Sequence, residues 1–182
     1  MKHFTLKEVK SIESYNLPAN YKKESLNFFN LVKEELNDSI RLLVLTGSGG
    51  VEKIEDNWSD LDFMIVVDYK IESQKLVQLL AKATMKTPIK IGVTSYSSQE
   101  FENGFVDTKT ITTLELLRKK VYFPSIVDEF LQIPFFSEGY RRKMHGLFLG
   151  DSIHSLRRKL FFPNDKEVVS IFKDVSNIKK FI

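Results

Sequence analysis

The chain contains no cysteine in its 182 residues. That single absence removes disulfides, thiolate zinc sites and thiol nucleophiles together, and makes a reducing, cytoplasmic setting the default expectation. No run of about eighteen apolar residues occurs, so no helix is expected to cross a membrane. The opening MKHFTLKEVK has neither a continuous apolar core nor a small-residue cleavage site, which argues against a secretory signal. Internal repeats and low-complexity tracts are also missing. What is present is an ordinary globular composition, 42% hydrophobic and 12% aromatic. The length suits one full core, or a compact domain with a small helical appendage, and excludes a second large domain.

Charge is unevenly spread. The net charge is +3, yet residues 1–107 hold 13 Lys and Arg against 16 Asp and Glu, whereas residues 108–182 hold 14 against 8. Basic triplets occur at Arg118-Lys119-Lys120, Arg141-Arg142-Lys143 and Arg157-Arg158-Lys159. Such clusters attract polyanions, so nucleic acid is a partner the charge permits. No aromatic interleaving accompanies them, and solvated helix faces are the favoured reading.

Periodicity orders the chain. Residues 1–20 read as a poorly defined lead-in, closed by Leu17-Pro18, where proline disfavours helix in the residue before it. Leu26, Phe29, Val32 and Leu36 give residues 21–37 an amphipathic helical stripe. The apolar runs Ile40 to Leu45 and Leu61 to Val67 are too short for typical helices and read as buried strands. A covering helix is expected over residues 72–84, and a third strand from Ile89 to Ser95. Ser97 with Glu100 three residues later is a capping-box pattern that starts a short helix. Further helices are expected over 110–120 and 126–133. The stretch 140–160 reads as one long helix, or two with a bend near Gly146 or Gly150. Val168, Ile171, Phe172 and Val175 form a final stripe.

Chemistry concentrates between residues 40 and 67. Gly47-Ser48-Gly49-Gly50 directly follows a strand, where glycines let the backbone turn sharply and offer amide N–H groups to an anion. Asp60 and Asp62 stand one residue apart at the start of the next strand, and a period of two puts both carboxylates on one face. They can share a cation there.

An apolar strand, Gly47-Ser48, eleven intervening residues and then Asp60-Leu61-Asp62-Phe63 resembles the signature of nucleotidyltransferases of the DNA polymerase beta superfamily. The resemblance implies an α+β fold: a small mixed sheet with helices on one side over residues 1–136, then a short helical segment over 137–182. Antibiotic-modifying members use that later region to shape the acceptor pocket. By the same resemblance Asp60 and Asp62 are the catalytic, magnesium-binding acids, and Gly47 and Ser48 hold the triphosphate. The implied reaction transfers a nucleoside monophosphate from Mg-NTP, such as ATP, to a hydroxyl of a small molecule or protein. The alternative is a catalytically weakened nucleotide-binding or regulatory module.

One departure stands out. Family members carry a third acid on a neighbouring strand, where this chain has Ile91-Gly92-Val93. Three readings stand: Glu100, Glu102 or Asp107 serves instead, a water completes a weakened site, or the chain binds nucleotide without transferring it. Strand parity puts Lys90 on the face of Gly92, where its ammonium can partly replace a missing cation. Asp151 and His154 are helical neighbours that can form a base or a surface pair. Trp58 can stack on a base or wedge beneath the loop.

Overall fold

The computed structural model describes residues 1–56, 58–68, 73–85 and 87–161. The chain divides into a unit Met1–Phe135 and a second unit beginning at Phe136. In the first unit a four-stranded mixed sheet has the order β4(Ile91–Ser97), β3(Leu61–Val67), β2(Ile40–Thr46), β5(Pro124–Val127). The β2–β3 and β2–β5 pairs are antiparallel, and β3 and β4 run parallel. A separate two-stranded ribbon pairs β1(Lys2–Phe4) with β6(Ile133–Phe135).

Apart from Arg41, Thr46 and Asp62, the two central strands are apolar, because both their faces are buried. On one face Leu43, Leu45, Phe63 and Ile65 meet α1(Ala19–Leu36), with the Phe28 and Phe63 rings 4.4 Å apart. Tyr21, Ser25, Phe28, Val32 and Leu36 form the buried stripe of α1, and Leu26 and Phe29 flank it. A further helix, α3(Ser73–Thr84), adds Leu79 and Ala83 to this layer. On the other face Leu42, Val44, Met64 and Val66 are buried too. That side holds α4(Ser98–Glu102) and α5(Thr108–Arg118): Tyr96 of β4 packs on Phe101 and meets Thr110 Oγ1 at 2.9 Å. Helices on one side alone were expected; strands with apolar residues on both faces require cover on both.

Ser97 caps α4 with the full reciprocal capping box anticipated from Glu100. The helix expected over 126–133 is absent. Its residues instead form β5, a turn and β6, because the free edge of β2 pairs with Ile126 and Val127. Asp128 then turns the chain, its carboxylate accepting from the Phe130 N–H at 2.8 Å. Residues 1–20 are likewise no loose lead-in. Ile12, Tyr15 and Leu17 are buried in the main core, and Lys10 N–H donates to the Pro124 carbonyl at 2.9 Å. In the second unit α6(Glu138–Phe161) runs as one helix through Gly146 and Gly150. The stripe Val168 to Val175 lies outside the described residues. Among the described residues no helix is long and apolar enough to cross a membrane.

Two predictions test the packed N-terminal segment. Ile12→Ala is expected to cost about 2 to 4 kcal/mol in urea unfolding; a loss within about 0.5 kcal/mol would mark it as unpacked surface. Burial, and secondarily Glu52, push the Tyr15 phenol from 10.0 up to about 12. The folded chain therefore holds that proton more tightly than the unfolded one. The stabilisation is complete below pH 10.0 and is lost as pH rises through about 12. Tyr15→Phe should flatten that part of the stability curve.

Candidate functional site

The site is built where three strands lie side by side. Antiparallel pairing sets Thr46 opposite Asp62, and parallel pairing sets Gly92 opposite Asp62 from the other side. Leu61 and Phe63, on either side of Asp62, are 0% and 1% exposed, so the strand is anchored while the Asp62 side chain faces outward. A Cβ added at Gly47 would fall 2.7 Å from Asp62 Oδ2, and one at Gly92 would fall 2.6 Å from Oδ1. The carboxylate thus sits between two positions without side chains. Gly47 also has φ of +59°, in the left-handed region that favours glycine.

The sharp turn expected at Gly47–Gly50 takes the form of a single helical turn, α2. Gly50 is packed so closely that a Cβ would lie 2.5 Å from the Leu45 carbonyl oxygen and 2.7 Å from the Tyr122 ring. The Tyr122 hydroxyl donates to the Gly47 carbonyl at 3.2 Å. Burial raises the Tyr122 pKa, and the Asp62 carboxylate adds to the rise. The phenol is therefore a neutral donor that fixes the glycine turn.

Asp60 lies one residue before β3. The Leu61 N–H donates to the Lys90 carbonyl at 2.9 Å, which extends the parallel ladder and sets Lys90 beside Asp60. Lys90 Nζ is 3.1 Å from Asp60 Oδ2, with the lysine side chain 66% exposed and the aspartate 31%. The approach to Asp60 is fastened to α1: the Tyr21 hydroxyl donates to the Ser59 carbonyl at 3.0 Å, and Asn20 donates to Asp56 at 3.2 Å. Trp58 is 81% exposed, which excludes the wedge beneath the loop.

By sequence, no protein-family model and no curated protein matches the chain. By structure, it is similar to the crystal structure of spectinomycin adenyltransferase AAD(9) from Enterococcus faecialis with ATP and spectinomycin. The TM-score is 0.56, with 16% identity, over 80% of this chain and 69% of that one. The fold is that of a nucleotidyltransferase.

Within this nucleotidyltransferase fold the other candidate acids have structural work. Glu100 accepts from Ser97 in the capping box, Glu102 accepts from the Gln132 N–H at 3.1 Å, and Asp107 caps α5. Backbone and side-chain donors from Ser97 hold the Glu100 carboxyl below its usual range. Among the described residues no group of three His, Asp or Glu is placed to hold a metal ion. Asp151 and His154 lie exposed on α6. Of the basic triplets, Arg118 and Lys119 pair with Glu115, Lys120 with Glu8, and Arg142 with Glu138. These pairs fit helix faces balanced by nearby acids.

Sequence reasoning missed Tyr21 and Tyr122. A tyrosine within an apolar pattern is the one available signal, since a buried phenol must find a partner for its hydroxyl.

Gly47→Ala is expected to destabilise the protein by about 1 to 2 kcal/mol through its positive φ alone, and further through contact with Asp62. Adding Asp62→Ala removes the contact but leaves the backbone strain, so the double variant should recover only part of the loss. Strict additivity in urea unfolding would show that the carboxylate is not seated against the turn.

Proposed function

We propose that the chain is a nucleotidyltransferase of the DNA polymerase beta superfamily, moving a nucleoside monophosphate from a magnesium-bound NTP to a hydroxyl of a small molecule or protein. The observation that carries this reading is the Asp62 carboxylate seated between Gly47 and Gly92, with Asp60 two residues before it. The solved neighbour of the same fold contains ATP and a small-molecule antibiotic, which supports nucleotide as one ligand and a hydroxyl compound as the other.

The donor set suits magnesium. Asp60 and Asp62 are hard oxygen donors, and one or two carboxylates plus substrate phosphates is the usual protein setting for this ion. When bound, magnesium neutralises charge on the triphosphate. The chain's own groups do the placing. Backbone amides at Gly47 and Ser48, with the Ser48 hydroxyl, donate to phosphate oxygens. Tyr122 fixes the turn that presents them. The acceptor oxygen bonds to the α-phosphorus, the α–β anhydride breaks, pyrophosphate leaves and the hydroxyl proton is released.

A second reading, a nucleotide-binding module with weakened catalysis, is favoured by one feature. Position 92 has no carboxylate, and Asp62 already fills the space beside it.

Incubation with each labelled NTP, magnesium and cell extract tests the pair. The first reading expects label on an acceptor, with transfer lowered at least about a hundredfold in Asp60→Asn and in Asp62→Asn. Thermal stabilisation by Mg-NTP without transfer to any acceptor supports the binding module. Absence of any magnesium-dependent stabilisation removes both.

A further inference from the structure

The strand beside the two aspartates carries a substitution of charge. At Gly92, where the resemblance calls for a third acid, there is no side chain, and a Cβ would meet Asp62 Oδ1 at 2.6 Å. Two residues earlier, on the same side of the ladder, Lys90 holds Asp60 Oδ2 at 3.1 Å. Against a site of three carboxylates, this one has lost a negative charge and gained a positive one. Phosphoryl-transfer sites can clamp the reacting group between two divalent cations; both changes act against the second of these, the first by removing an anionic ligand and the second by direct repulsion.

An exposed lysine–aspartate pair is commonly incidental. This one is set by the backbone: the Leu61 N–H bond to the Lys90 carbonyl at 2.9 Å fixes the two residues as ladder neighbours before any side-chain rotamer is chosen. The two aspartates therefore have different surroundings. Asp62 is held against the glycine turn, and Asp60 is held by an ammonium.

We propose that the site takes one divalent cation with its nucleoside triphosphate and that Lys90, as a positioning residue on Asp60, supplies the second positive charge. This rests on the nucleotide-binding reading above. The charge then belongs to the chain, so the site is partly neutralised before any metal arrives.

The test uses the full chain, Mn2+ as a paramagnetic probe and a non-hydrolysable ATP analogue. Free Mn2+ is followed by electron paramagnetic resonance, and analogue affinity is measured separately. Wild type should bind one Mn2+ per chain in the saturated complex. Lys90→Met should bind the analogue about tenfold more weakly at one equivalent of Mn2+, and Lys90→Arg should keep the wild-type affinity. Two ions per wild-type chain, or unchanged affinity in Lys90→Met, overturns the role of Lys90 and leaves nucleotide binding intact. Failure of wild type to bind the analogue at all overturns both readings together.

Discussion

The carboxylate of Asp62 is confined by two positions that carry no side chain. Gly47 reaches it through the β2–β3 hairpin and Gly92 through the parallel neighbour, so segments 45 residues apart in sequence meet on one acid. A side chain at either glycine would force the carboxylate aside. The opposite face of the same strand is locked into the core, with Phe63 against Phe28. Accuracy at the exposed oxygen atoms therefore derives from packing on the hidden side of β3, where a close-packed interior allows little displacement.

Three buried tyrosines share one further task. Tyr15, Tyr21 and Tyr122 bury their rings and each donate a hydroxyl hydrogen bond to a backbone carbonyl, of Phe123, Ser59 and Gly47 respectively. The two ends of the segment between β2 and β3 are thus held from outside, one by Tyr122 and the other by Tyr21. Lys10 pairs with Glu52 and lies over the Tyr15 ring, which ties the first residues of the chain to the same segment. An amphipathic ring suits this use, since it adds apolar burial at one end and a directed bond at the other.

The parts legible in the sequence are those whose cause is local or doubly enforced. Leu61 to Val67 reads as a strand because both of its faces are buried, and Ser97 with Glu100 reads as a helix start because four adjacent residues complete the cap. Lys90 beside Asp60 follows from parity alone once the strands are placed side by side. What escaped depends on partners far along the chain. Ile126 and Ile133 stand at helical spacing, yet the open edges of β2 and β1 draw them into strands. Ile12 and Tyr15 show no clear period because they plug a core formed by later elements. The tyrosine hydroxyls find carbonyls 38, 75 and 108 residues away, beyond the reach of any window of local pattern.

The ribbon that joins β1 to β6 pairs Lys2 with Phe135. Almost the whole first unit is enclosed by that contact, which is among the most distant in sequence that the unit can make. During synthesis, the strand near the start of the chain must wait until about 130 further residues have left the ribosome. Closure of so long a span comes late and slowly in folding. In the interval the edge of β1 is unpaired, and a nascent chain stalled before residue 133 presents that edge to any other extended segment nearby.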